Sequence, residues 1–284
     1  MKPGRIAALF ERACIAELEA LKPGNVHRFA PGHGMTVADF AASAAAAAPA
    51  LARPGARLGV RILGAVRATR AEVGCNTNLG ILLLCAPLAV AAERPEPLRT
   101  AVATVLAAAD RADAQKVYAA IRLAAPAGLG QVAEADVARE PRIPLLEAMR
   151  LAEARDRIAW NWTHDLADLF ETGMPLLEAL TRRGWSEPWA LAGLHLQFLS
   201  QLPDSHIARK FGPETAEALT TEAAPLARRL LAAEEPTAFV PELLAFDAAL
   251  KIRGFNPGTT ADLVVASLFA RLLCEEWPAA ESGQ

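Results

Sequence analysis

Gly74-Cys75-Asn76-Thr77-Asn78-Leu79-Gly80 gathers two amides, a hydroxyl and two glycines into one short break, and the apolar run Leu79–Ala92 follows it directly. A membrane-spanning helix takes about 20 apolar residues. This run is shorter and contains Pro87, so it reads as a helix buried in a protein core. At its start, Asn76 or Thr77 can cap the first free backbone N–H groups. The remaining ones, at the positive end of the helix, suit a phosphate. An ordinary structural cap uses the same residue types, so both readings stand for the turn taken alone.

The rest of the chain agrees with a helical core. Its 284 residues are 53% hydrophobic and only 6% aromatic, alanine and leucine dominate, and β-branched runs are scarce. Such a composition favours helices around a large core. The net charge of −3 and the lack of a lysine-rich tail leave no electrostatic footprint for a nucleic-acid backbone. Cys14, Cys75, Cys85 and Cys274 lack the paired spacing of a metal site and suit a reducing compartment. Charges at Lys2, Arg5, Glu11 and Arg12 interrupt any secretory signal. The expected location is cytoplasmic, with neither nucleic acid nor membrane as partner and with homo-oligomer formation left open.

Helical periodicity runs over Arg5–Leu21, ended by Lys22-Pro23-Gly24, and then over Leu58–Val73, Leu79–Ala92 and Leu98–Leu123. Thr36 with Asp39 makes a capping box for a helix reaching about Leu51. Further helices are expected over Leu145–Phe170, Pro175–Arg183, Glu187–Leu202, Pro213–Ala233, Pro241–Ile252 and Ala261–Glu276. No segment alternates with period two for long enough to make a strand. The chain is therefore read as all-α: one large globular domain of about a dozen helices over residues 1–276, its site built from inter-helix loops, and a disordered tail over 277–284. A division at the Ala125–Gly130 break is the less favoured organisation; that break lacks the lysine and the strand of a phosphate loop.

Three other breaks carry chemistry. Lys22-Pro23-Gly24-Asn25-Val26-His27 joins a cation, an amide and an imidazole, and Gly32-His33-Gly34 adds a second imidazole. Asp204-Ser205-His206-Ile207-Ala208-Arg209 sets a carboxylate, a hydroxyl, an imidazole and a guanidinium close together, suited to a metal, a general base and a phosphate. Asp204 following Pro203 is equally a helix N-cap. A nucleophilic triad of Ser205, His206 and Asp204 fails, because adjacent side chains seldom face one another. Asn256-Pro257-Gly258-Thr259-Thr260-Ala261-Asp262 ends on an acid that either complements a helix dipole or holds a nucleotide's magnesium. Arg155-Asp156-Arg157 and His164-Asp165 with Asp168 read as solvated helix faces, and His195, among leucines, as a core histidine.

Lys22-Pro-Gly-Asn-Val-His27, Asn76-Thr-Asn-Leu-Gly80, Asp204-Ser-His-Ile-Ala-Arg209 and Asn256-Pro-Gly-Thr-Thr-Ala-Asp262 resemble, in order and spacing, the signature segments of the triphosphoribosyl-dephospho-CoA synthase family, from about Ala13 to Leu272. The resemblance implies an all-helical transferase that moves the 5-triphosphoribosyl group of ATP to the 2′-hydroxyl of 3′-dephospho-CoA and releases adenine. The product is the prosthetic-group precursor of citrate lyase or malonate decarboxylase. The loops depart from the family pattern. Asn25 and His27 stand where it reads Leu and Asp, Asn78-Leu79 where it reads His-Lys, and Asn256-Pro-Gly-Thr-Thr260 where it reads Ser-Pro-Gly-Gly-Ser; the acid before Met35 is missing.

On this reading Asn76, Thr77, Asn78 and Gly80 cradle the triphosphate, aided by Lys22 and Arg209, with Asn25, His33 and Asn256 also contacting substrate. Glu17 and Asp262 hold Mg2+ carried with ATP. Asp204 acts as base or metal ligand, and His206, His27 or His33 supplies the acid. The departures suit a related acceptor, and two alternatives remain: a ribosyl transferase or N-glycoside hydrolase of another cofactor pathway, such as methanopterin- or methanofuran-type one-carbon carriers, and a non-catalytic helical scaffold. The enzyme readings require the four loops to converge on one cavity; the scaffold does not.

Overall fold

The computed structural model describes residues 1–125 and 136–276. Most of the Ala125–Gly130 break and the expected tail lie outside the described residues. Fourteen α-helices and no strands occur among them. In chain order they are α1 (Pro3–Glu19), α2 (Val37–Leu51), α3 (Leu58–Val73), α4 (Leu79–Ala91), α5 (Leu98–Ala107), α6 (Arg111–Ala124), α7 (Leu145–Ala152), α8 (Arg157–Thr163), α9 (Met174–Arg182), α10 (Glu187–Gln201), α11 (Ser205–Phe211), α12 (Pro213–Ala232), α13 (Val240–Ile252) and α14 (Gly258–Glu275). A π-helical segment, Asp168–Gly173, leads into α9. No helix among the described residues is long and apolar enough to cross a membrane.

The apolar run behaves as its composition requires. In α4 all residues but Gly80 and Val90 are buried, and the helix is packed by α3, α5, α8 and α14. Helix α14 is its counterpart, buried nearly throughout between α1, α4, α10 and the π-segment. Both central helices begin at the same polar region. The expected capping box on α2 is present, with Asp39 N–H donating to Thr36 and Thr36 N–H to Asp39 at 2.7 Å.

Two expected helices are broken. Leu98–Leu123 splits into α5 and α6 because Asp110 caps a new helix, receiving N–H bonds from Ala112 and Asp113 at 2.8 and 3.1 Å. Leu145–Phe170 splits at Asp156, which caps α8 through Ile158 and Ala159 N–H at 2.9 and 3.2 Å. It splits again where Asp165 and Leu166 take left-handed φ values of 52° and 57°. The final helix starts at Gly258, three residues ahead of the expected Ala261.

Close approach of helices is bought with glycine. At Gly59 on α3 an added Cβ would come to 2.7 Å from the Asp113 carbonyl oxygen and 2.8 Å from its Cα, whereas at Gly64 the nearest atom, the Ala50 Cβ, is 3.4 Å away. At Gly173 a Cβ would overlap Ser267 Oγ of α14. Gly59→Ala is expected to destabilise the protein by about 1–3 kcal/mol through overpacking. Gly64→Ala should be neutral or stabilising by up to about 1 kcal/mol through helix propensity. Chemical denaturation of the two variants checks both signs.

Candidate active site

All four polar breaks reach one cavity of about 850 Å³ at the start of α4 and α14. Its polar wall includes Glu17, Asn25, Asn76–Gly80, His206, Arg209, Asn256 and Asp262, and its apolar end Ile121, Leu145, Ala148 and Met149. The convergence demanded of an enzyme is therefore present.

At the α4 terminus the three expected phosphate-binding side chains do different things. Asn76 Oδ1 accepts from Leu79 N–H, the first of α4, at 3.1 Å, while the N-cap residue Asn78 makes no side-chain cap bond. Thr77 turns inward to donate to Ser43 Oγ at 2.6 Å, and Asn78 Nδ2 donates to Thr69 Oγ1 at 3.0 Å. The N–H groups of Gly80 and Ile81 have no partner among the described residues. An added Cβ at Gly80 would overlap Asp262 Oδ2, so only glycine lets this carboxylate lie against the helix start. Asp262 accepts no hydrogen bond from a described residue. Burial, followed by the charges of Asp204 and Glu17, holds its carboxyl well above the usual range.

Asp204 is buried and fully engaged. Oδ1 accepts from His206 and Ile207 N–H at 2.9 and 3.1 Å, capping α11, and Oδ2 accepts from Thr260 N–H and Oγ1, both at 2.8 Å. It binds the start of α11 to that of α14. His206 lines the cavity, its ring 3.6 Å from the point a Gly258 Cβ would occupy. Burial lowers its imidazole from the ordinary value despite the pull of Asp204. Arg209 donates through Nη1 to Asp156 Oδ2 at 2.6 Å, while its buried Nε has no partner among the described residues.

The remaining expected site residues stand behind this surface. Lys22 is wholly buried, paired with Glu17, and does not line the cavity. Burial lowers its ammonium from the ordinary value against the attraction of Glu17. His27 is buried with Nε2 3.2 Å from Asp247 Oδ1, though poorly aligned for a hydrogen bond. His33, at a left-handed φ of 56°, holds the Gly24 carbonyl oxygen at 2.8 Å. Neither histidine lines the cavity. Asp247 Oδ1 also accepts Gly24 N–H at 2.8 Å, and the neutral His195 donates through Nε2 to the Pro23 carbonyl at 3.2 Å. These groups hang the Lys22–His33 loop on α10 and α13.

Sequence reasoning missed Arg155 and Arg157, which line the cavity. Arg157 forks onto Asp168 with both N···O distances 2.7 Å and lies 3.6 Å over the Trp160 ring. The usable signal was Asp156: as a cap it turns the following arginine inward rather than along a solvated face.

The family profile for ATP:dephospho-CoA triphosphoribosyl transferase, CitG, matches residues 3–281. The chain belongs to this transferase family, whose members are enzymes that act on ATP. Among solved structures it is similar to a "putative triphosphoribosyl-dephospho-coA synthase" from Archaeoglobus fulgidus, at 27% identity and a TM-score of 0.64, covering 83% of this chain and 99% of that one. No curated protein matches.

Asp204→Ala should cost roughly 2–4 kcal/mol, since it removes a cap and strands the Thr260 donors; urea denaturation measures it. His195 supplies a pH test. Burial pushes its pKa down to about 3 from 6.5, so the unfolded chain takes up a proton that the native state refuses. Its share of stability is complete above pH 6.5 and is lost progressively towards pH 3. Denaturation midpoints should fall over that window, and less steeply in His195→Gln.

Proposed function

We propose that this chain transfers the 5-triphosphoribosyl group of ATP to the 2′-hydroxyl of 3′-dephospho-CoA, releasing adenine. The observation that carries the reading is the meeting of all four polar loops around one cavity at the positive end of α4. Departure of adenine from C1′ passes through an oxocarbenium-like state, so the site must hold the triphosphate, keep water out and take a proton from the incoming hydroxyl. It must also let a proton reach the departing adenine, so that the proton lost by the hydroxyl balances the one gained by the base.

The free N–H groups of Gly80 and Ile81 suit phosphate oxygens, with the buried Arg209 Nε, unpartnered among the described residues, as a further donor. Asp262 lies against that same helix start, and a cation between it and a triphosphate would draw it to the carboxylate form against the effect of burial. Mg2+ typically takes one or two carboxylates plus phosphates and waters. Asp262 fits that role, whereas Glu17 is occupied by Lys22, and among the described residues no three acidic, histidine or cysteine side chains form an all-protein metal shell. When bound, the ion would neutralise phosphate charge. Asn256, at the entry to α14, suits a substrate hydrogen bond, with Asn25 bonded to it.

His206 is the one expected histidine that lines the cavity, and its lowered pKa favours the neutral ring. A neutral imidazole accepts a proton, so we assign it as base towards the 2′-hydroxyl rather than as acid. Asp204 then serves by fixing the backbone that presents His206. The apolar end, at Ile121, Leu145 and Met149, accommodates uncharged portions of the substrates.

Incubation with ATP, Mg2+ and dephospho-CoA should release adenine stoichiometrically with a coupled product, followed by chromatography. His206→Gln is expected to lower kcat by about 10²–10⁴-fold, and chelation of Mg2+ to weaken ATP binding. Failure of the wild type to release adenine would overturn the assignment, and adenine without coupled product would point to hydrolysis.

A further inference from the structure

A chain of side chains runs along the cavity wall from α1 to the loop before α14. Glu17 pairs with Lys22, Lys22 Nζ lies 3.3 Å from Asn25 Oδ1, and Asn25 Nδ2 lies 2.8 Å from Asn256 Oδ1. The polarity of this chain is forced. An ammonium can only donate, and so can a backbone N–H; Asn25 Oδ1 receives both Lys22 Nζ and, at 2.9 Å, Val26 N–H. Turning the Asn25 amide over would set its NH2 group against two donors. With the oxygen so held, Nδ2 faces Asn256 and must meet an acceptor there, which fixes the Asn256 oxygen towards Asn25. The Asn256 Nδ2 is what remains, on a residue that lines the cavity, with no partner among the described residues.

We propose that Lys22 acts through Asn25 to hold Asn256 as a one-way hydrogen-bond donor to an oxygen of the nucleotide in the cavity. The inference deepens the transferase reading and rests on it for the identity of the nucleotide. Lys22 becomes a positioning residue rather than a phosphate ligand, in keeping with its complete burial. An asparagine free to turn over would also present an acceptor, which repels an ionised phosphate oxygen and reverses the direction of a hydrogen bond to a ribose hydroxyl; the relay removes that alternative.

Asn25→Asp reverses the relay with almost no change of shape. The carboxylate it introduces would still accept from Lys22 and Val26 but has no donor for Asn256, which must then turn its own NH2 towards that carboxylate and its oxygen into the cavity. The dissociation constants of ATP and of dephospho-CoA, measured separately by calorimetry, should rise about tenfold for the nucleotide that Asn256 contacts. Asn256→Ala and the paired Glu17→Gln/Lys22→Met variant should weaken the same nucleotide. In an Asn256→Ala background, neither Asn25→Asp nor the paired change should weaken it further. Unchanged affinity for both nucleotides in Asn25→Asp, or an equal loss with and without Asn256, overturns the relay, the latter because damage to the fold would not depend on Asn256. Should the wild type bind ATP yet release no adenine while these variants still shift ATP affinity, the reaction assignment fails and the relay stands.

Discussion

The contact of the Asp262 carboxylate with Gly80 joins the starts of the two central helices, and the rest of the site is arranged around it. Helix α4 is enclosed by apolar neighbours, so its N-terminus is the part that can meet polar chemistry. Glycine at position 80 brings a carboxylate from α14 against that terminus, and Asp204 secures α14 to α11 through Thr260. One wall thus presents helix N–H groups, an unpartnered acid and a histidine together. The core and the site are consequently one construction, because the helices with most buried surface also carry the reactive ends.

Beside the start of α14, the Lys22–His33 loop is suspended over polar groups in the interior. Burying an ion pair such as Glu17–Lys22 is costly in desolvation and is tolerated when the remaining donors and acceptors are satisfied. Asn25 provides for Lys22, Asp247 for Gly24 and Lys251, and His195 for Pro23. An apolar core could give similar stability, but it could not fix which end of an amide faces the cavity. The departures at Asn25 and Asn256 from the family pattern touch each other at 2.8 Å, and His27 sits beside Asp247 instead of in the site.

The all-helical class, the buried nature of Leu79–Ala92, the Thr36–Asp39 capping box and the core position of His195 were legible because each depends on neighbours within a few residues. The breaks inside Leu98–Leu123 and Leu145–Phe170 were not, since apolar periodicity continues across them and single aspartates, Asp110 and Asp156, do the dividing. The four chemical loops were visible as an ordered set. Their inner and outer members were not separable: whether Lys22 or His27 reaches substrate depends on the complete burial of the nearby Glu17–Lys22 pair, which spacing alone does not reveal, and on Asp247, more than two hundred residues away. Arg157 was misread as surface because its partner Asp168 lies beyond an irregular turn.

Gly173 lies beside Ser267 as Gly80 lies beside Asp262, so α14 rests in two notches at different heights along its length. A helix held in one notch can still pivot; held in two, on neighbours from different parts of the chain, it can neither slide nor turn without a collision. The floor of the cavity therefore behaves as a fixed datum. Short α7 and α8, with the turn between them, form the adjoining wall, and Ile158 of α8 reaches the same notch at Gly80.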